Sequence, residues 1–273
     1  MVRPDLRQRR HACLGNSLSA LGHAIVGGQC PLGTGLAFAS QYEGKDNVTL
    51  CYLGDGALNQ GGFFEAMNLA AIWNLPIIFV LEHNNYSMGT HISRGTSMAN
   101  DLSAKAQAFG MRYAECDGLD VLATYDCFAN QVAMTRNAQN PQHKRGDWDQ
   151  IAYSREGSNP GPAFINVKTY RYQGHSMSDP QKYRTKDEVG EYKERDPINI
   201  LVNQLVESGK VTQQQCTELD NKAKQVSKDS VKFAEESPQM PTDEMFTDVY
   251  ANPFGPYIKG GLPNIITNEN NGE

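Results

Sequence analysis

The sequence lacks a long hydrophobic run, an excess of basic residues and closely spaced cysteines. No apolar stretch approaches the roughly 20 residues that a membrane-spanning helix needs. Acidic residues outnumber basic ones by 31 to 25, which gives a net charge of −6. The chain therefore lacks the excess of basic residues that is typical of nucleic-acid-binding proteins. These absences predict that neither a membrane nor a nucleic acid is a partner of the chain.

The cysteine pattern argues against a disulfide scaffold or a zinc site. Six cysteines, at positions 13, 30, 51, 116, 127 and 216, form no Cys-x-x-Cys pair and have no histidine at metal-binding spacing. Reduced thiols are therefore expected. We predict a bacterial cytosol, with a mitochondrial matrix as the alternative, because the arginines within residues 1–21 would also suit a presequence. We interpret residues 1–21 as an atypical basic segment.

Hydrophobic periodicity predicts alternating strands and helices. Residues 48–54 and 77–83 are short apolar runs typical of buried strands, and residues 62–73 between them have the spacing of an amphipathic helix. Such a β-α-β unit predicts a parallel sheet covered on both faces, a three-layer α/β/α fold. Further predicted elements are helices over 31–43, 100–110 and 119–136, strands over 111–118 and 163–172, and a helical C-terminal extension over 186–235.

Polar residues follow both strands of this unit. Gly54-Asp55-Gly56 ends the first strand, and Asn84-Asn85-Tyr86 ends the second. The carboxyl ends of parallel strands meet at one edge of a sheet, where ligands bind. A carboxylate, an amide oxygen and a backbone carbonyl suit Mg²⁺, and glycines let backbone N–H groups approach phosphate. An ordinary turn is the more frequent explanation of Gly-Asp-Gly alone and would also explain Asn-Asn, but together the two motifs predict a metal site for a diphosphate.

Several longer sequence segments resemble those of a known protein family. Gly-Asp-Gly followed after 27 residues by Asn-Asn resembles the thiamin diphosphate signature. The chain contains AIVGGQCPLGTGLAFA, YLGDGALNQGGFFEAMNLAAIWNLPIIFV, NNYSMGT and TYRYQGHSMSDPQKYR. These strings resemble the α subunits of thiamin diphosphate-dependent 2-oxoacid dehydrogenase E1 enzymes, in the pyruvate dehydrogenase branch. The resemblance covers roughly residues 22–136 and 161–235. It implies a thiamin diphosphate-binding domain over 22–236 and a tail over 237–273.

The resemblance also implies roles for individual residues. Asp55 and the amide of Asn84 match the metal-binding side chains, and Tyr86 matches the backbone carbonyl ligand. The remaining matches are Gly56 and Ala57 to the diphosphate-contacting backbone, Ala24 and Val26 to the aminopyrimidine contacts, and His175 to a loop histidine at the diphosphate or substrate. Ser176 matches a phosphorylation position of mitochondrial members, and we interpret it as unmodified.

The implied activity is the oxidative decarboxylation of pyruvate. The family uses thiamin diphosphate and Mg²⁺ in an α₂β₂ assembly with an E1 β subunit, and transfers the acetyl group to the lipoyl domain of the E2 partner. The alternatives are an acetoin or branched-chain 2-oxoacid dehydrogenase α subunit, and a truncated, catalytically silent interaction subunit. Two departures motivate the silent alternative: Ala24 replaces the usual glycine, and most of the family's N-terminal region is missing. Residues 142–160 also resemble an insertion.

Overall fold

The computed structural model of the chain describes residues 25–137, 161–239 and 241–242. Ala24, residues 1–21, the predicted insertion at 142–160 and most of the predicted tail at 237–273 lie outside these described residues. Contacts divide the chain into two units, one spanning Gly22–Thr212 and another that includes the chain from Gln213 onward. The domain boundaries at 22 and 236 stay a prediction.

The first unit alternates strands with helices, as the hydrophobic periodicity predicts. Its six strands within the described residues are β1 (Thr49–Gly54), β2 (Ile77–His83), β3 (Tyr86–Ser87), β4 (Thr90–His91), β5 (Arg112–Asp117) and β6 (Ala163–Lys168). Its helices there are α1 (Gln29–Tyr42), the 3₁₀ turn Ala57–Asn59, α2 (Gly61–Ile72), α3 (Ile92–Gly95), α4 (Ser103–Ala108), α5 (Val121–Asn137), α6 (Lys186–Glu194) and α7 (Pro197–Glu207).

Four strands form one parallel sheet in the order β1-β2-β6-β5. The inner strand β2 is apolar on both faces, and residues 77–81 are fully buried. Continuous apolar runs of this kind are typical of parallel strands that are covered on both sides. Because all four strands run the same way, their carboxyl ends lie along one edge.

Helices pack on both faces of this sheet, which confirms the predicted three-layer α/β/α class. On one face α1, α2 and α4 pack over side chains that include Leu53, Phe79 and Phe164. On the other face α5 packs over Ile78, Val80 and their neighbours. The centre of the first core is Phe63 of α2, whose ring centroid lies 5.5 Å from that of Phe79 and 5.9 Å from that of Phe164. Aromatic contacts of this kind add to the stabilisation from burial.

The predicted strand at 163–172 is too long, because β6 ends at Lys168. Its neighbours β2 and β5 both end level with that residue, His83 and Asp117 being its register partners. Beyond this level the chain has no strand to pair with, and Tyr170 instead stacks on Tyr192 with 3.8 Å between ring centroids.

The predicted helical extension consists of three helices. α6 and α7 belong to the first unit, and α8 (Gln213–Glu236) belongs to the second. The Asp196 side chain caps the start of α7 by accepting from the backbone N–H groups of Ile198 and Asn199, and Pro197 follows at the first helical position. Within the described residues no helix combines the length and the apolarity that crossing a membrane requires.

Candidate active site

The two predicted site motifs lie side by side at the carboxyl edge of the sheet. Gly54, the last residue of β1, is in register with Glu82 of β2. Asp55 therefore follows one strand at the level where His83 ends the next, and Asn84 comes directly after it. The structure thus brings together the two motifs that the sequence places 27 residues apart.

Asp55 is a buried carboxylate without a hydrogen-bond partner. Its side chain is only 2% exposed, and neither Oδ1 nor Oδ2 accepts a hydrogen bond from any described group. Burial raises the pKa of Asp55 above its ordinary value, although positive charge on His83 opposes this shift. The nearby backbone N–H groups of Asn84 and Tyr86 also lower the pKa, but too little to cancel the effect of burial. An unpaired buried carboxylate is unfavourable unless a cation binds it.

Asn84 is held in a tight turn that fixes its amide. Its Oδ1 accepts a hydrogen bond from the backbone N–H of Tyr86 at 3.0 Å. Asn85 between them has a φ of 70°, in the left-handed region that asparagine tolerates better than most residues. The Asn85 carbonyl then accepts from the backbone N–H of Ile92 at 2.8 Å, which anchors the short β3–β4 hairpin. The turn therefore presents Asn84 and Tyr86 beside Asp55.

Gly56 and Ala57 form the turn that follows Asp55. A Cβ at Gly56 would lie 3.0 Å from Ser87 Oγ, so the loops after β1 and β2 approach each other closely at this glycine. Asn59 supports the turn by donating from Nδ2 to the Asp55 carbonyl at 3.2 Å and to Thr96 Oγ1 at 2.8 Å. Ala57 is itself buried. The predicted diphosphate-contacting backbone therefore lies at the predicted metal site.

Val26 lies on a segment that contacts this same turn. Gly27 has a φ of +85°, and a Cβ there would be 2.8 Å from Gln60 Cβ and 3.8 Å from the Ala57 carbonyl oxygen. This close approach requires glycine at position 27. Val26 itself is 61% exposed. Ala24, the other predicted aminopyrimidine contact, lies outside the described residues.

The loop that carries His175 is tied to the β3–β4 hairpin. Arg171 donates from Nη2 to the Met88 carbonyl and to the Tyr183 hydroxyl, both at 2.8 Å. The Tyr183 ring lies against Gly89, where a Cβ would be 2.8 Å from its Cδ1. These contacts hold both ends of the His175 loop beside the segment that follows Asn84. His175 itself is exposed.

Asp179 shapes the interior of this loop. Its carboxylate accepts from the His175 backbone N–H at 2.7 Å, from the Gln181 backbone N–H at 2.9 Å and from the Tyr183 hydroxyl at 2.6 Å. The hydrogen bond from Tyr183 is the largest cause of a lowered pKa of Asp179, at about 2. An ionised Asp179 therefore fixes the backbone at His175.

A chain of polar side chains continues from the site across the sheet, from the buried His83 and Asn166 to the exposed Glu115. His83 is 8% exposed, and its Nδ1 lies 3.0 Å from Asn166 Oδ1 on β6. Asn166 Nδ2 donates to Glu115 Oε2 at 2.9 Å on β5. Burial raises the pKa of Glu115, but hydrogen bonds from Lys168, Tyr113 and Asn166 outweigh it, so that the pKa lies below its ordinary value.

This chain borders a cavity of about 380 Å³ at the carboxyl ends of β2, β5 and β6. The lining includes His83, Asn85, Glu115, Lys168 and Arg195. The sequence predicted neither this row of hydrogen-bonded polar side chains nor the hydrogen bonds by which Asp179 holds the His175 loop. One signal was available for the chain, because Asn166 is a lone amide within the apolar strand AFINVK, and a buried amide needs partners.

Comparison with known proteins identifies the family. A sequence model of the family described as "Dehydrogenase E1 component" matches residues 8–142 and 150–243. The chain therefore belongs to the dehydrogenase E1 component family, which confirms the family that the motifs predict.

Similar curated proteins are named pyruvate dehydrogenase E1 component subunit alpha. The chain is 44% identical over 229 residues to that of Rickettsia felis and 40% identical over 229 residues to that of Rhizobium meliloti. It is 38% identical over 233 residues to the somatic, mitochondrial form of Sus scrofa. These matches cover 84%, 84% and 85% of this chain and 64%, 60% and 54% of the three relatives. The chain thus spans less than two thirds of their length.

A solved structure is also similar, more weakly. It is described as a putative thiamin diphosphate-dependent enzyme from Mycobacterium smegmatis, with 21% identity and a TM-score of 0.35. The match covers 54% of this chain and 22% of that one. A TM-score this low does not establish a common fold.

Proposed function

We propose that the chain acts as the α subunit of a pyruvate dehydrogenase E1 enzyme and binds thiamin diphosphate through a divalent metal, Mg²⁺. The observation that carries this proposal is the unpartnered, buried carboxylate of Asp55 beside the amide of Asn84. Oxygen donors of this kind suit Mg²⁺, which also retains phosphate and water ligands. The names of the relatives support pyruvate as the substrate.

The described residues fit such a metal. The Asp55 carboxylate would bind the ion directly, and its negative charge would no longer be buried unpaired. The amide of Asn84 and the backbone carbonyl of Tyr86 would complete the protein's share of the ligands. Because the Asn84–Tyr86 turn is fixed by its own hydrogen bond, little ordering would be needed when the ion binds.

The same edge would hold the cofactor's diphosphate. The backbone of Gly56 and Ala57 would contact it, and Val26, with Ala24, would touch the aminopyrimidine. When bound, thiamin diphosphate supplies the electron sink for the loss of CO₂ from a 2-oxo acid. His175, on a loop tied to the metal segment through Arg171 and Tyr183, would contact the diphosphate or the substrate.

The remaining parts of the proposal concern partners and location. An E1 β subunit would complete an α₂β₂ assembly, and the lipoyl domain of the E2 partner would accept the acetyl group. We place the chain in the bacterial cytosol. No residue of this chain is assigned to the activation of the aminopyrimidine, since the β subunit supplies that group in the family.

Co-expression with an E1 β subunit tests the proposal. We expect decarboxylation of pyruvate that requires both thiamin diphosphate and Mg²⁺ and is lost in Asp55→Ala. Parallel assays with acetoin and with branched-chain 2-oxo acids would reveal either alternative substrate. Stable assembly that neither binds the cofactor nor decarboxylates any of these substrates would contradict the proposal and favour a silent interaction subunit.

A further inference from the structure

The helix α8 carries a row of apolar and small residues along one side that is left largely exposed. The structure describes the whole of Gln213–Glu236, and no residue in it is buried. The three largest side chains of the row, Leu219, Val226 and Phe233, are 62–67% exposed. We call this row the α8 stripe, and its members are Cys216, Leu219, Ala223, Val226, Ser230 and Phe233.

The spacing of the α8 stripe fits the surface of a second helix. Its members follow one another at alternating intervals of three and four residues, the repeat along which two α-helices pack in a coiled coil. The stripe covers about 25 Å of helix, at 1.5 Å per residue. Contiguous exposed apolar surface of this kind is typical of a site of association.

The sizes of the side chains favour a second copy of α8 in the antiparallel orientation. In one antiparallel register every large member of the stripe lies opposite a small one: Val226 opposite Ala223, Leu219 opposite Ser230, and Phe233 opposite Cys216. Layers that alternate large and small residues interdigitate without voids. A parallel pair would instead set alanine against alanine and serine against serine, which leaves gaps between the layers of large residues.

The charges beside the α8 stripe agree with the same register. Lys222 and Asp229 border the stripe on one side, and the antiparallel register sets Lys222 of each copy opposite Asp229 of the other. Two equivalent ion pairs result, as a two-fold contact between identical chains requires. The ion pairs found within α8 use other residues, and Asp229 accepts a hydrogen bond from the neutral amide of Gln225 at 2.8 Å. A parallel pair would bring Lys222 to Ser227 and gain no ion pair.

We propose that α8 is a self-association surface that pairs antiparallel with α8 of a second copy of this chain, through the α8 stripe and the two Lys222–Asp229 pairs. The inference goes beyond the proposed function and does not rest on it. It involves no residue of the proposed metal or cofactor site and needs neither cofactor nor β subunit.

Analytical ultracentrifugation of the full chain tests the proposal. We expect the wild-type chain to dimerise reversibly at high micromolar concentration. Phe233→Asp places a charge in the α8 stripe and should weaken dimerisation by about 10-fold or more, because a large aromatic side chain at the centre of a contact contributes strongly. Since Phe233 is 64% exposed in the single chain, the helix content measured by circular dichroism should not change. A wild-type chain that stays monomeric, or a dimer unaffected by Phe233→Asp, would overturn the proposal.

Charge reversal tests the antiparallel register. Lys222→Asp sets like charges opposite each other in both pairs and should weaken the dimer about 10-fold, as should Asp229→Lys. The double variant restores opposite charges and should recover the wild-type affinity. Lys228→Asp is the matched control, because it makes the same change of charge on the opposite side of α8 and should leave dimerisation unchanged. No recovery in the double variant, or an equal loss in Lys228→Asp, would overturn the proposal.

Co-expression with an E1 β subunit tests the other candidate occupant of the α8 stripe. A wild-type chain that is monomeric alone, and whose capture of the β subunit is lost in Phe233→Asp, would assign the stripe to that subunit and overturn the proposal. The two proposals of the article fail separately. Absence of cofactor binding would remove the proposed function alone, whereas absence of the dimer would remove this inference alone.

Discussion

Replacing Asp55 by asparagine should stabilise the metal-free chain while it removes the proposed metal site. The carboxylate is 2% exposed and both of its oxygens lack partners. A buried polar group left unsatisfied costs about 1–3 kcal/mol, and more when it is charged. Asparagine has nearly the same shape and no charge, so it should relieve part of this penalty, about 1–2 kcal/mol.

This stabilisation should be measurable as a rise in the melting temperature. For a domain of this size, 1 kcal/mol corresponds to roughly 2–4 °C, so we expect Asp55→Asn to melt roughly 2–8 °C higher in EDTA. Because the pKa of Asp55 is raised in the folded chain, the penalty is absent where the carboxyl is protonated. The difference should therefore shrink as the pH falls toward the ordinary value of 3.8 and reach its full size above the folded-state pKa.

Binding of metal and cofactor should reverse the order of the two melting temperatures. At 100 times the dissociation constant, a ligand that binds only the folded chain adds about 2.7 kcal/mol, which exceeds the gain from asparagine. The wild-type chain should then melt above Asp55→Asn in Mg²⁺ and thiamin diphosphate. Differential scanning calorimetry under both conditions measures the crossover.

The exposed Asp126 of α5 offers a matched control. Asp126→Asn should change the free energy of unfolding by no more than about 0.5 kcal/mol in either buffer. If Asp55→Asn melts at or below the wild-type temperature in EDTA, the carboxylate is not an unsatisfied group, and the reasoning from burial to metal binding fails.

Three further predictions concern the loop and the scaffold. Hydrogen bonds, the largest contribution coming from Tyr183, lower the pKa of Asp179 to about 2. The backbone amide of His175 should therefore be protected from hydrogen exchange above pH 3.8 and lose this protection as the pH falls toward about 2. In Asp179→Ala this amide should be unprotected at every pH. Asp196→Ala should lower the free energy of unfolding by about 1 kcal/mol through loss of the α7 cap, with urea denaturation as the measurement and no change as the contradicting result. Phe63→Ala should cost about 3–5 kcal/mol in the same assay, and a cost below 1 kcal/mol would contradict its central place in the core.

The sheet and the edge that carries Asp55 and Asn84 could be predicted from the sequence, because the local pattern and the topology agree there. Residues 48–54 and 77–83 are apolar runs flanked by turn residues, and one helix lies between them. A β-α-β unit of this kind has parallel strands, which brings Asp55 and Asn84 to the same edge without further information.

Other features depend on the order of the strands, which periodicity does not encode. The chain from Glu115 through Asn166 to His83 forms only because β6 lies between β2 and β5. The end of β6 at Lys168 is set by where its neighbours stop, although the residues beyond it are equally suited to a strand. The two-residue strands β3 and β4 are too short to show any periodicity.

The most direct test of the proposed metal site is anomalous diffraction from crystals of the full chain grown with Mn²⁺ and thiamin diphosphate. The account predicts a manganese peak bonded to the carboxylate of Asp55 and to the amide oxygen of Asn84, at the roughly 2.0–2.2 Å typical of small divalent ions with oxygen ligands. A peak bound elsewhere, or cofactor density at this edge with no metal beside Asp55, would contradict it.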